Sequence, residues 1–324
     1  MIPAIFPLLP LLFHLQESAE PTPLQRLRSG DPIVRQAAER ELAEAGAQAV
    51  AGLRRALAHE GEPIEPRVDA LVRKLSAATW KEREQATRDL VLLGRDARPR
   101  LETFENSTDL EVSWRVKSIL AELKEREPGE AAAGAFADAA ICRLLAAAGD
   151  GESAGLILGA LKRAEGAPAE AVLDLRLSAV GALADLRASL SAEQAERATE
   201  EGLKLLREHR HRRSIGQVLK SLGRLKSPAA VPPLKQLAED AVLKDLHLKR
   251  GALAALASIG RREAMQVVID ALKSPEPYLR ESAIQILAAS GLPDPDFDPA
   301  SGPASEELRS RILKWWEQQG SGVK

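Results

Sequence analysis

The side chains of this chain that could do chemistry begin with a single cysteine, Cys142. With no second cysteine, an intramolecular disulfide cannot form. Cys142 lies in the run AAICRLLAAA, where a small buried apolar residue is expected, and no histidine is near it in sequence to activate the thiol. The sequence therefore predicts a structural role for this thiol. It assigns no catalytic residue, no cofactor-binding residue and no metal ligand.

A basic run, REHRHRR, covers Arg207 to Arg213 and could contact the phosphates of a nucleic acid. Its two histidines, His209 and His211, are two positions apart, so on a helix they point to different sides and cannot both bind one metal ion. Glu208, Arg212 and a closing Gly223 also fit the repeat pattern described below. The run is therefore predicted to begin a helix, with its positive charges on a solvated face.

Three carboxylates alternate in the segment PDPDFDP, at Asp294, Asp296 and Asp298, as they do in a calcium loop. The sixth position of that loop is Pro299 where glycine is needed for the turn. The twelfth is Ser305 where a bidentate glutamate is needed. The segment is therefore predicted to be a rigid acidic loop that binds no calcium.

Two tryptophans, Trp80 and Trp114, lie near the starts of predicted helices. Such residues can anchor a protein partner. In an alanine-rich array they more simply fill the gap between adjacent helices, and this is the interpretation that the sequence favours.

The composition limits the class of protein. Of 324 residues, 45% are hydrophobic but only 3% are aromatic, so the apolar content is mostly alanine and leucine, as in closely stacked helices. The formal charge is 45 − 47 = −2, which indicates neither a nucleic-acid-binding nor a membrane protein by bulk charge.

The elements that position these residues follow a repeated pattern. It is clearest from Asp245 to Gly260 and again from Glu276 to Gly291, where apolar or small residues at offsets of three, seven and eleven fall on one face of a helix. The glycine that ends each copy, Gly260 or Gly291, predicts the end of the helix, because glycine readily adopts the left-handed conformation found there. The segment DPIVRQAA, which begins at Asp31, is nearly the same as EPYLRESA, which begins at Glu276. Each copy of this pattern is here called a frame. The frames begin near positions 31, 79, 109, 134, 172, 208, 245 and 276, and their spacings cluster near about 36 residues, the period of two-helix repeats.

These repeats resemble HEAT repeats in the short bacterial form, with an acid, two residues, an apolar residue and arginine in the first helix. That form is shared with the repeats related to phycobilisome lyases, and the resemblance covers roughly Leu24 to Gly291. The chain lacks the tetratricopeptide and ankyrin patterns. The end, LRSRILKWWEQQG, resembles the terminal helix of such proteins. Trp315 and Trp316 match its last aromatic pair, and Ile312 replaces an earlier tryptophan.

The predicted fold class is all-α, an α-solenoid of HEAT-like helical hairpins. The predicted divisions are a signal peptide at 1–19, HEAT-like repeats at 20–126 and 127–291, and an acidic proline-rich loop with a C-terminal capping helix at 292–324. The signal peptide is suggested by the apolar run Ile2–Leu15, which is too short for a membrane span, although no lysine or arginine precedes it. The predicted location is therefore periplasmic or extracellular, and otherwise cytoplasmic.

The resemblance implies a non-enzymatic scaffold that binds a protein partner along the concave face of the solenoid, with no cofactor, no membrane span and no nucleic acid. Two alternatives stay open. One is an enzyme of the lyase-related or nucleic-acid-glycosylase kind, since both chemistries occur on HEAT-like folds. It needs a pocket with convergent polar groups. The other is a nucleic-acid clamp that uses Arg207–Arg213.

Overall fold

The computed structural model describes residues 22–58, 64–93, 97–163, 168–208 and 214–320. Within these ranges it contains helices and no strand, which confirms the all-α prediction. The α-helices are α1 (Pro23–Arg26), α2 (Pro32–Ala45), α3 (Val50–Ala58), α4 (Ile64–Lys74), α5 (Trp80–Leu92), α6 (Arg98–Glu102), α7 (Leu110–Ala147), α8 (Ala154–Arg163), α9 (Ala169–Asp185), α10 (Ala192–Glu208), α11 (Ile215–Leu225), α12 (Val231–Glu239), α13 (Leu246–Ile259), α14 (Arg262–Asp270), α15 (Pro277–Ala289) and α16 (Glu306–Gly320).

The aspartates that open the frames at 31 and 245 are N-caps. The Asp31 carboxylate accepts a hydrogen bond from the Ile33 amide at 2.8 Å, and the Asp245 carboxylate accepts one from the Leu248 amide at 3.0 Å. Each bond satisfies an amide that has no partner inside the helix. Gly260 ends α13 with φ 67°, a left-handed conformation that glycine adopts without steric cost.

The arginine of the frame has a structural role in three copies of the repeat. In each copy its Nη1 atom donates to the two backbone carbonyls that lie six and five residues earlier, in the turn before the helix. The distances are 2.7 and 2.9 Å for Arg35, 2.8 and 3.2 Å for Arg83, and 2.8 and 3.0 Å for Arg280. The guanidinium thus fixes the turn that precedes each of these helices.

Most of the helices fall into two rows. The first row is formed by α2, the second half of α7, α9, α11, α13 and α15, each of which contacts the next. The second row contains α3, α8, α10, α12, α14 and α16, and members of this row pack against first-row helices. Two neighbouring apolar cores fill the space between the rows, one from Leu27 to Leu225 and the other from Leu173 to Ile312.

A separate unit interrupts this arrangement. Residues 64–123 form a third core, which includes Val68, Leu90 and Leu123 and belongs to α4, α5, α6 and the first half of α7. The first hairpin, α2 and α3, instead makes its main contacts with α7, α8 and α1. The 64–123 unit is therefore an excursion of the chain between two hairpins that pack on each other.

Helix α7 joins two predicted repeat frames into one element of 38 residues. The sequence places separate frames at Asp109 and Gly134, with the segment EREPGE between them. The helix runs through that segment without ending. The predicted boundary between residues 126 and 127 falls inside this helix, and the division into domains stays a prediction.

Two features of the predicted frame at Glu208 are wrong. Glu208 is the last described residue of α10, so it does not open a first helix, and residues 209–213 of the basic run lie outside the described residues. Gly223 is not a helix stop, because α11 continues to Leu225 and Lys226 takes the left-handed conformation, with φ 53°. A Cβ atom at Gly223 would lie 3.0 Å from the Ala255 Cα atom, so this glycine lets α11 and α13 approach closely.

The C-terminal helix α16 packs chiefly on α14. The sequence predicts that it folds onto the stretch Glu276–Gly291, which is α15 and its end. The observed contacts are instead an ion pair from Arg309 to Asp270 at 2.6 Å and one from Arg262 to Glu317 at 2.6 Å. Helix α16 therefore extends the second row, and α15 precedes it as the last member of the first row.

None of the helices in the described ranges is both long and apolar enough to cross a membrane. The predicted signal peptide, 1–19, lies outside the described residues and stays a prediction.

Candidate functional site

A groove of about 590 Å³ lies between α8, α10 and α12 of the second row. Helix α10 contacts α8 and the short turn before α12, which leaves the space between these helices open along α10. The groove is lined by Leu158, Leu161, Arg197, Glu200, Glu201, Leu203, Lys204, Leu206, Arg207 and Pro233.

The inner surface of the groove is apolar. Leu158 and Leu206 are buried, and Leu161, Leu203 and Pro233 are half-buried. Leu203 and Leu206 are three positions apart on α10, so both turn toward the same side of the helix. The apolar wall of the groove can therefore shield one side of a bound apolar molecule from water.

The edge of the groove is charged. Arg197, Lys204 and Arg207 recur along α10 at intervals of seven and three residues, which places them on one face of the helix. All three are exposed, and in the part of the chain that the structure describes they form no ion pair. They are therefore available to bind an anionic group.

One of the two carboxylates of the groove is already neutralised. The Nε–H group of Arg176, on α9, donates a hydrogen bond to the Glu201 carboxylate. Its Nη1–H group donates one to the Glu208 carboxylate at 2.6 Å. Burial acts to lower the pKa of Arg176, but the hydrogen bonds that it donates to Glu208 and Glu201 outweigh burial and raise the pKa above the ordinary value. Three cations therefore face one remaining carboxylate, Glu200, and the groove favours an anionic ligand.

The groove was not predicted from the sequence. Of its charged residues, only Arg207 belongs to a predicted site, the basic run, and His209 to Arg213 lie outside the described residues. The signal that was available is the amphipathic pattern of α10, in which leucines and cations repeat at helical spacing. That pattern alone does not distinguish a solvated face from the wall of a groove.

The other predicted sites are structural where the structure describes them. Cys142 is fully buried in the core between the two rows, as predicted. The carboxylates of Asp294 and Asp298 accept hydrogen bonds from the amides two residues later, at 3.0 and 2.9 Å, so they stabilise turns. Across the described ranges, no three His, Cys, Asp or Glu side chains come together as metal ligands.

The interpretation of Trp80 and Trp114 as gap-filling residues is wrong. Their exposed fractions are 64% and 65%, and Leu110, one turn before Trp114, is 84% exposed. The Arg115 guanidinium lies 5.9 Å from the Trp114 ring. The interiors of the hairpins in this unit are filled by leucine and valine, which leaves both tryptophans on the outer surface.

Comparison with known proteins gives one significant relative in sequence. Over 101 residues, 31% of this chain and 37% of the relative, the chain is 40% identical to the bilin biosynthesis protein PecE of Mastigocladus laminosus. The match thus spans little more than a third of the length of that relative. No protein-family model matches the chain.

A similarity in structure joins the chain to the crystal structure of an engineered protein from the Northeast Structural Genomics Consortium. It covers 91% of this chain and 81% of the engineered one, with 18% sequence identity and a TM-score of 0.33. At that TM-score the similarity supports no conclusion.

The similarity to a bilin biosynthesis protein corrects the predicted function. It contradicts a non-enzymatic scaffold and points toward an enzyme, which agrees better with the lyase-related alternative. The scaffold prediction depended on the HEAT-like resemblance together with the absence of a catalytic motif in the sequence. A site made of side chains on successive helices leaves no such motif.

Proposed function

We propose that this chain is an enzyme of the lyase-related kind that binds a bilin in the groove between α8, α10 and α12. The observation that carries the proposal is the 40% identity over 101 residues to a bilin biosynthesis protein. The groove supports it independently, because it combines an apolar inner surface with an excess of cations at its edge.

The chemistry of a bilin matches these two surfaces. A bilin is an open-chain tetrapyrrole, with a conjugated and largely apolar skeleton that carries two carboxylates. The skeleton can lie against Leu203 and Leu206, while the carboxylates reach the cations of α10. The volume of about 590 Å³ is within the range of roughly 300–1,000 Å³ that ligand pockets usually have.

Arginine suits the recognition of such carboxylates. A guanidinium can bind both oxygens of one carboxylate at once, which fixes its orientation as well as its position. Arg197 and Arg207 lie ten residues apart on α10, about 15 Å along the helix axis. They can therefore hold two separate carboxylates, with Lys204 between them.

The proposed reaction joins the bilin to a second protein. A lyase catalyses an elimination that forms a double bond or the reverse addition to one, and an exocyclic carbon–carbon double bond of a bilin can accept a thiol by such an addition. The sulfur then bonds to one carbon and the thiol proton passes to the other, with no oxidant or reductant. The only thiol of this chain, Cys142, is fully buried, so the acceptor thiol belongs to a protein partner.

We propose that the two rows of helices form a HEAT-like solenoid, with the second row on its concave face. The repeated contacts within the first row and the three equivalent arginines support this arrangement. A bilin in the groove of the second row would then face a protein partner held on the same surface.

Binding of biliverdin, an available bilin, tests the proposal. The purified chain is titrated with biliverdin, and the change of the visible absorption band gives the affinity. Arg197→Glu with Arg207→Glu should weaken binding at least tenfold, because a charge reversal replaces attraction of the carboxylates by repulsion. Lys220→Glu, at an exposed position of α11, is the matched control and should bind as the wild type does.

A transfer assay then tests the reaction. The bilin-loaded chain is mixed with an apoprotein that carries an acceptor cysteine, and the covalent product is followed by in-gel fluorescence in the presence of zinc. Product formation that depends on both the chain and the acceptor cysteine supports the proposal. Equal product with and without the chain contradicts it.

A further inference from the structure

The described structure consists of two parts that have separate apolar cores. One is the 64–123 unit. The other, here called the body, contains the described residues of 23–58 and 131–320 with the two cores between the helix rows. No residue is shared between the core of the unit and those of the body.

Helix α7 is the element that connects them. Its first half packs on α5 and α6 in the unit, and its second half packs on α2, α3 and α9 in the body. The last core residue on the unit side is Leu123 and the first buried residue on the body side is Ala131. The chain also crosses from Ala58 to Ile64, through residues outside the described ranges.

The stretch between these two residues is locally the weakest part of α7. Pro128 has no amide hydrogen, so the Lys124 carbonyl lacks its usual partner four residues later, and proline is the least favourable residue in a helix interior. Gly129 follows, and glycine stabilises a helix interior less than every other residue except proline. Around Gly129 there is open space where a side chain would be.

The helix persists at this point because packing holds both of its ends. Val116, Ile119 and Leu123 fix the first half in the core of the unit, and Ile141 and Leu145 fix the second half in the body. Between them Lys124, Glu125 and Gly129 are exposed and add no apolar contact to either core. Sharp bends of helices occur at proline and glycine, where the hydrogen-bond ladder is already interrupted.

We propose that Pro128–Gly129 is a hinge in α7, about which the 64–123 unit changes its angle to the body. The unit carries the exposed rings of Trp80 and Trp114, and the body carries the groove of α10. A bend at the hinge changes the separation of these two surfaces. A protein bound to the unit would thus move toward or away from the groove, whether or not the groove holds a bilin.

Pulsed electron–electron double resonance measures this motion. Spin labels are attached through Arg88→Cys, in the unit, and Lys220→Cys, in the body, both at exposed positions. Cys142 is fully buried and should stay unlabelled in the folded protein. The expected result for the otherwise unmodified chain is a broad distance distribution with more than one component.

The double substitution Pro128→Ala with Gly129→Ala restores the hydrogen bond to Lys124 and adds two strong helix formers. It should narrow the distribution and remove the components of the bent helix. The matched control is Gly134→Ala, which adds alanine to the same helix on the body side, where the space is also open. The control should leave the distribution as broad as before.

Three results would overturn the hinge. These are a single narrow distance in the parent protein, an equally broad distribution in the double variant, and equal narrowing by Gly134→Ala. Circular dichroism of each labelled variant shows whether the fold is intact, and a variant with lost helicity is replaced by Gly129→Ala alone, to which the same criteria apply.

Discussion

Arg54 and Asp150 form a two-point ion pair that joins the first hairpin to the end of α7. The Arg54 Nε atom lies 2.7 Å from one carboxylate oxygen, and the Nη2 atom donates to the other. The 64–123 unit lies between these residues in the chain, yet their side chains meet. The pair therefore links the part of the body that precedes the 64–123 unit in the chain to the part that follows it.

Asp150→Asn should destabilise the protein by about 1–3 kcal/mol, because it removes the more buried of the two carboxylate charges that the Arg54 guanidinium faces, the other being that of Glu152. The Asp150 side chain is 7% exposed, so water replaces the lost bond poorly. The free energy of unfolding from a urea titration at pH 7 measures the effect. Glu44→Gln, an exposed carboxylate in α2, is the control and should leave it unchanged.

The same pair predicts a dependence on pH. The hydrogen bond from Arg54 holds the pKa of Asp150 below its ordinary value near 3.8, since it outweighs the opposing effect of burial. A carboxyl group with a lowered pKa stabilises the fold above its unfolded pKa and loses that contribution as the pH falls through the folded value. The difference in unfolding free energy between wild type and Asp150→Asn should therefore be constant near neutral pH and shrink below about pH 4. A difference that grows on acidification would contradict this role.

Gly223→Ala should cost about 1–3 kcal/mol, because the new methyl group would lie 3.0 Å from the Ala255 Cα atom and 3.1 Å from its carbonyl oxygen. Those are backbone atoms, so α11 and α13 have to separate. Gly216→Ala, in the same helix with open space around it, should change the unfolding free energy by less than about 0.5 kcal/mol. Equal effects of the two substitutions would show that close approach is not the role of Gly223.

Leu256→Asp should destabilise the protein by more than about 3 kcal/mol, since the Leu256 side chain is fully buried and a carboxylate there loses its contact with water. Ala254→Asp places the same charge at an exposed position two residues earlier and should cost far less. Thermal melting followed by circular dichroism compares the two. Similar melting temperatures would refute the assignment of the buried face of α13.

Deletion of residues 304–324 should lower the melting temperature and promote self-association. Ile312 of α16 is 2% exposed, and Trp315 and Trp316 are half-buried against the last core, so the deletion uncovers apolar surface. Light scattering and binding of a hydrophobic dye report the exposed surface. If α16 serves only to bind a partner, the shortened protein should keep the melting temperature of the full chain.

The parts of the fold that could be predicted depend on local chemistry. Asp31 and Asp245 cap helices through their own neighbouring amides, and Arg35 bonds to carbonyls five and six residues away, so a repeated word in the sequence gives a repeated structure. The buried stripe that includes Leu256 follows from helical spacing.

The parts that could not be predicted depend on distant contacts. Nothing near Gly223 in sequence reveals that Ala255 lies against it, and Pro128 with Gly129 reads as a helix end unless both halves of α7 are packed. The groove likewise needs three helices from separate hairpins, and its charge depends on Arg176 neutralising Glu201 from a fourth. The spacing of residues along α10 predicts that its cations share one face of the helix, but it does not predict that this face lines a groove.

The affinity of the chain for biliverdin, measured by absorption titration for the wild type, the Arg197→Glu/Arg207→Glu variant and Lys220→Glu, tests the central claim most directly. Binding by the wild type and Lys220→Glu, with a loss of at least about tenfold in the double variant, is the predicted result. Absence of binding to all three proteins would contradict a bilin-handling function. Equal binding by all three would contradict its assignment to the groove of α10.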